Sequence, residues 1–183
     1  MALKSTIYKA TLNISDLDRQ HYAEYPLTLA LHPSETETRL MMRLLAFVLC
    51  ADEALRFGRG LCADDEPDLW QHTDAGDIAR WIEVGLPSEK RLRRACSRAQ
   101  EVILLVYGSE QQVQPWWTGI RKSLTRFDNL RLLRIAEEES TALTALAERQ
   151  MRLQCTIQDG QLWFTGEEAS AEVTPQTLDP SRF

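Results

Sequence analysis

The run Val102-Ile103-Leu104-Leu105-Val106 constrains this chain most, because it is apolar at every position. A strand of that kind is covered on both faces, so further layers must flank the sheet that holds it. The surrounding sequence offers them. Ile78 to Val84 reads as a strand that stops at Gly85 and Pro87. Ser88 then caps a predicted short helix through Gln100, with Leu92, Ala95, Cys96 and Ala99 on its buried face. A further helix-like segment carries Trp116, Trp117, Ile120 and Leu124, and Leu130 to Ile135 reads as another strand.

The start of the chain is patterned differently. Tyr8, Ala10, Leu12 and Ile14 alternate with Ile7, Lys9, Thr11 and Asn13, and Leu27, Leu29 and Leu31 alternate after the edge-type Pro26. A helix is predicted to follow, with Ser34 as N-cap, Glu37 completing a capping box, and Leu40, Leu44, Phe47, Val48 and Ala51 facing the core. Glu137-Glu138-Glu139 places anions at the start of a helix holding Leu143 and Leu146, where the helix dipole favours them. Met151, Leu153, Cys155 and Ile157 lead to Asp159-Gly160, and Leu162 and Phe164 return on the same face as a hairpin. After Thr165 the polar sequence is expected to fray. No repeat or linker divides the chain, which reads as one α/β domain over 1–183, with roughly seven to nine strands and a flexible tail after about residue 173.

Composition narrows the function classes. A hydrophobic content of 44% with 26% charged residues excludes a mostly disordered chain. Twenty-one Lys and Arg against 27 Asp and Glu give a net charge of −6, so nucleic acid could be held only by a local basic patch. The apolar stretch from Leu40 to Leu55 is interrupted by Arg43, Asp52 and Glu53 and cannot span a bilayer. With no apolar run of a secretory signal at the start, the expectation is a cytoplasmic protein without a membrane partner. Cys50, Cys96 and Cys155 read as reduced, core or half-buried thiols, and Cys62 is the one candidate reactive thiol. His21, His32 and His72 fall in three separate segments, and no phosphate loop, dinucleotide fingerprint, HExxH or GxSxG is present.

The remaining chemistry is acidic. Asp68 opens a strand after Pro67, and Glu83 lies near the end of the next, on the face of Trp81 and Gly85. A carboxylate among apolar residues must be paired or bind a cation. Two carboxylates at adjacent strand ends suit Mg²⁺, a hard ion with oxygen ligands. An ion pair of Glu83 with Arg80, or with an arginine of the next helix, accounts for the same pattern.

Several segments together resemble the bacterial YaeQ proteins. They are the opening Met1 to Ala10, His32-Pro33-Ser34-Glu35-Thr36, Phe57-Gly58-Arg59-Gly60-Leu61, Asp64-Asp65-Glu66-Pro67-Asp68-Leu69-Trp70, Trp81-Ile82-Glu83-Val84-Gly85 and Thr156-Ile157-Gln158-Asp159-Gly160. The likeness runs from the first residue to about Val173. YaeQ proteins are similar in fold to the PD-(D/E)xK nucleases of the restriction-endonuclease-like group. That resemblance implies an α/β fold with a mixed β-sheet and flanking helices. Its core would run helix, three strands, helix and strand, with additional N- and C-terminal antiparallel strands.

Carried over by residue, the resemblance makes Pro67-Asp68 the Pro-Asp element and Glu83 the acidic residue of (D/E)xK. Asp68 and Glu83 would hold Mg²⁺, for which Mn²⁺ can substitute, and Glu35 would be an accessory metal carboxylate. Gly85 stands where the motif has lysine. Among the relatives that lysine can migrate to the following helix, which here holds Lys90, Arg91, Arg93, Arg94 and Arg98. Arg91 falls at the flank of its buried face, and Lys90 toward solvent. Arg91 is therefore the expected phosphate-binding group of the catalytic set, although a guanidinium does not readily deprotonate water. Two functions follow. One is Mg²⁺-dependent hydrolysis of nucleic-acid phosphodiesters; the other is a catalytically silent relative that binds nucleic acid or a protein. The loop carboxylates Asp64, Asp65 and Glu66 are a second possible metal site, and Arg121, Lys122 and Arg126 extend the basic patch.

Overall fold

A computed structural model describes residues 4–60 and 65–182. Alternation makes the first two strands, β1 (Thr6–Asp16) and β2 (His21–Leu31), which pair antiparallel from Thr6 opposite Leu31 to Asp16 opposite His21. Tyr8, Ala10, Leu12 and Ile14 are buried, as the alternation predicts. The hairpin also forms: β8 (Gln150–Gln158) and β9 (Gln161–Thr165) flank Asp159 and Gly160, which both have positive φ. The Asp18 carboxylate secures that turn by accepting the Asp159 and Gly160 N–H groups at 2.8 and 2.9 Å. With β10 (Ser170–Val173), these strands form a mixed five-stranded sheet in the order β10-β9-β8-β1-β2, β1 and β8 running parallel. Pro26 sits on its outermost strand, where a missing N–H is tolerated.

A second, six-stranded mixed sheet has the order β11-β7-β6-β5-β4-β3. In chain order it comprises β3 (Leu55–Phe57), β4 (Leu69–His72), β5 (Ile78–Val84), β6 (Ala99–Val106), β7 (Leu130–Arg134) and β11 (Gln176–Leu178). The central strands β5, β6 and β7 are parallel. On one face, Ile103 and Leu105 of β6 join the main core with helix α1 (Glu37–Leu49) and the inner face of the first sheet. On the other, Val102, Leu104 and Val106 pack under α2 (Glu89–Arg98) and α3 (Glu110–Leu124). The apolar run is thus covered twice, as its composition requires. The last helix, α4 (Glu137–Thr144), packs on α1 and β10.

Several expectations are corrected. The strands number eleven among the described residues and divide into two sheets. Neither Ser34 nor Glu37 caps α1. Thr36 does, its Oγ accepting the Arg39 N–H, while Ser34 Oγ lies 2.7 Å from His32 Nδ1 and Glu37 accepts the Tyr8 hydroxyl. The core-facing stripe of α1 is incomplete as read, since every residue from Leu40 to Val48 is buried between the two sheets. Helix α2 ends at Arg98, and Ala99 and Gln100 already belong to β6. The sequence after Thr165 is not all irregular: Ala171 and Val173 are buried in β10, and β11 pairs with β7. Cys50 and Cys155 are buried free thiols and Cys96 a half-buried one, as expected; Cys62 lies outside the described residues. Among the described residues no helix is long and apolar enough to cross a membrane.

Candidate functional site at the carboxyl ends of β5 and β6

Asp68 is fixed by backbone before its side chain does anything. Its N–H donates to Ile82 O at 3.1 Å, and its carbonyl accepts the Gly58 N–H at 2.9 Å. Gly58 permits that approach, because a Cβ there would stand 2.0 Å from the Pro67 carbonyl oxygen. So placed, the Asp68 side chain reaches across to β5, where its Oδ2 accepts the Val84 N–H at 2.8 Å. Glu83 projects from β5 on the face of Trp81, whose indole Nε1 donates to Glu83 Oε1 at 2.8 Å. Both carboxylates are buried, at 2% exposure.

Two helices bring the cations. Ser88 caps α2 through the Arg91 N–H, which sets Arg91 in the first turn. From there its Nε donates to Glu83 Oε1 at 2.9 Å and its Nη2 to the Glu66 carbonyl at 2.8 Å. The next-helix alternative for an ion pair with Glu83 is therefore the one realised, and Arg80 pairs with Glu101 instead. From α1, Arg39 donates to Asp68 Oδ1 at 2.5 Å and to Glu35 Oε1 at 3.0 Å. Arg43, buried one turn on, holds Glu35 with two bonds at 2.8 and 3.0 Å. Glu35 stands before α1 rather than within its first turn, and also accepts the His32 N–H. Glu35, Asp68, Glu83 and Arg91 all reach one region, linked from Glu35 to Asp68 by Arg39.

Arg39, Arg43 and Tyr107 were not among the residues singled out as candidates. Arg43 appeared only as a break in an apolar stretch; its i+8 spacing from Glu35, with Arg39 midway, was the available signal. Tyr107 gives none, since it simply follows the apolar run of β6.

Burial and the charge of Asp68 push the Glu83 carboxyl up to about 7, against the help of Arg91 and Trp81. Burial raises the Tyr107 hydroxyl as well; Arg39 opposes this, while Asp68 and Glu35 add to it. The carboxylates have the right donor chemistry for Mg²⁺. Their arrangement does not fit it. Each carboxylate is engaged by a guanidinium, and three acids face three arginines, leaving no excess negative charge to draw a divalent ion. Among the described residues no three His, Cys, Asp or Glu side chains are grouped to hold a metal, and no buried side-chain N or O lacks a hydrogen-bond partner. In the acidic loop, Glu66 is paired with Arg59 and the Asp65 carbonyl accepts from Arg98, while Asp64 lies outside the described residues.

Comparison with known proteins agrees with the resemblance drawn from the motifs. A model of the YaeQ protein family matches residues 1–175. The YaeQ protein of Escherichia coli (strain K12) is 49% identical over 173 residues, spanning 94% of this chain and 95% of that one. That of Salmonella typhi is 45% identical over the same length and shares. The crystal structure of YaeQ from Xanthomonas axonopodis pv. citri superposes with a TM-score of 0.90 at 45% identity, covering 94% of this chain and 97% of the other. YaeQ from Pseudomonas syringae gives 0.91 at 35% identity, covering 96% of each. The chain belongs to the YaeQ family.

Proposed function

We propose that this chain is a PD-(D/E)xK-like relative that binds nucleic acid through its phosphates and does not cleave it. The order α1-β3-β4-β5-α2-β6, a helix, three strands, a helix and a strand, supports the nuclease-like core. Asp68 and Glu83 at the joined ends of β4 and β5 supply its acidic pair. The observation that carries the silent reading is that arginines hold this pair. Arg39 engages Asp68 and Arg91 engages Glu83, while Gly85 replaces the motif lysine. For binding, α2 carries five basic residues and one acid, and Lys90 and Arg94 are exposed without an ion pair among the described residues. Lys122, in the last turn of α3, is exposed as well.

The second reading, Mg²⁺- or Mn²⁺-dependent hydrolysis with Asp68 and Glu83 as ligands, Glu35 accessory and Arg91 on the phosphate, has one specific support. Burial raises the Glu83 carboxyl and the charge of Asp68 adds to it, a repulsion that a divalent ion would relieve. It requires Arg39 and Arg91 to release them.

One experiment separates the readings. Labelled single- and double-stranded DNA and RNA are incubated with wild type, Glu83→Ala and Lys90→Ala/Arg94→Ala in Mg²⁺ or Mn²⁺. Binding and cleavage are both followed across a salt series. The silent binder gives intact nucleic acid and salt-dependent binding, with the double variant flattening the log–log salt slope by roughly 2. Cleavage by wild type that disappears in Glu83→Ala establishes the nuclease, and absence of binding in every condition rejects both.

A further inference from the structure

In an open α/β sheet, ligands gather at the carboxyl ends of the parallel strands. Here that edge presents Glu83 of β5, Gly85 just beyond it and Tyr107 just beyond β6, the two strand ends joined by the Gly85 N–H to Leu105 O bond at 2.9 Å. Gly85 has φ of +105°, where an L side chain is strained, so the missing lysine cannot be restored there without cost. The space its side chain would enter lies against Tyr107, whose ring carbon Cε1 is 3.8 Å from the position of a Cβ on Gly85. The half-buried Tyr107 ring thus stands beside Gly85, whose neighbour Val84 donates its N–H to Asp68 Oδ2 while Arg39 donates to Asp68 Oδ1.

Tyr107 differs from its surroundings in one respect. The Glu35, Asp68, Arg39 and Arg43 side chains around it are all satisfied within the protein, whereas the Tyr107 hydroxyl makes no hydrogen bond among the described residues. Nor is it sealed from water, since no unpaired polar side-chain atom is fully buried there. A free hydroxyl at the same strand edge as a guanidinium that is still 18% exposed offers a second donor to an anion bound there. A cation finds no vacant carboxylate here, and the basic α2 borders the same edge.

We infer that Tyr107 takes the place of the absent lysine as a ligand-contacting residue, donating its hydroxyl to a phosphate group bound against Arg39. The phosphate can belong to a phosphodiester backbone or to a monoester. Tyr107 acts here within the nucleic-acid-binding reading proposed above, and the test separates the two.

The chain has four tyrosines, so ring ¹³C labelling resolves each one by NMR. Inorganic phosphate and a 5′-hydroxyl oligothymidylate are titrated separately into wild type and Tyr107→Phe. The resonance absent from Tyr107→Phe should shift on phosphate addition in wild type, and the variant should bind phosphate about tenfold more weakly, the loss of one hydrogen bond to a charged group. Its melting temperature should be unchanged, because the removed oxygen bonds to nothing in the fold. A shift with the oligothymidylate identifies the diester as the source; a shift with phosphate alone identifies a monoester, and then nucleic-acid binding fails while the role of Tyr107 stands. No shift with either probe, equal affinity in the variant, or a variant of lowered stability overturns the inference.

Discussion

The two ends of α1 both carry ion pairs with buried carboxylates, and they differ in what those pairs accomplish. At the carboxyl end, Arg19 joins Asp16 at 2.6 Å and donates to the Val48 and Ala51 carbonyls. That arrangement closes the helix, satisfying carbonyls that have no partner within it. At the amino end, Thr36 already caps the helix, yet Glu35, Arg39, Arg43 and Asp68 assemble there in addition. Closing a helix does not require them. Charge beyond structural need, drawn from separate segments, is why the ligand is proposed at the amino end.

The largest effect should come from Arg43→Ala, which leaves Glu35 buried with its two strongest bonds removed. A loss of about 3–5 kcal/mol in urea unfolding is expected, and a loss below 1 would show that Arg39 alone suffices. Arg19→Ala, at the opposite end, should cost roughly 2 kcal/mol, since the Arg19 N–H to Asp16 is kept by the backbone. A cost above that of Arg43→Ala would mean that the half-exposed Arg19, and not the buried Arg43, answers the more costly buried charge.

Per pH unit, the effect of Glu83 is smaller still. The folded chain holds this proton up to about pH 7, whereas the unfolded chain releases it near the ordinary 4.5. Across that window the folded state binds more protons, so stability falls as pH rises, by at most about 1.4 kcal/mol per pH unit. Glu83→Gln should flatten that decline in unfolding measured from pH 4 to 8. A wild-type profile already flat there would mean that Arg91 keeps Glu83 ionised. Smallest of all, Arg93→Ala removes an exposed i,i+4 pair with Glu89 and should change stability by no more than about 0.5 kcal/mol.

Elements with strong local signals were legible in the sequence. Ser88 fixed the start of α2, Gly85 the end of β5, and the Asp159-Gly160 turn the last hairpin. The misplaced N-cap has a tertiary cause: Ser34 and Thr36 are both good caps, and the choice fell to Thr36 once Glu35 was drawn to Arg43. Strands β3 and β11 have three residues each and β10 has four, too short for periodicity; they form because a neighbour's edge awaits them. At the site, the carboxylates and Arg91 were legible because acids in apolar strands demand an explanation. Their partners Arg39 and Arg43 were not, since an arginine on a helix is ordinary until the helix proves to be buried all round.

On the silent-binder reading, guanidinium groups and not a metal answer the charge of Asp68 and Glu83. The most direct measurement is the melting temperature of wild type, Asp68→Ala/Glu83→Ala and Arg39→Gln/Arg91→Gln across a Mg²⁺ and Mn²⁺ titration. A metal bound at 100 times its Kd stabilises by about 2.7 kcal/mol, a readily measured shift. The account predicts no saturable rise in wild type, and a rise only where the arginines have been removed. A saturable rise in wild type that vanishes in Asp68→Ala/Glu83→Ala would contradict it.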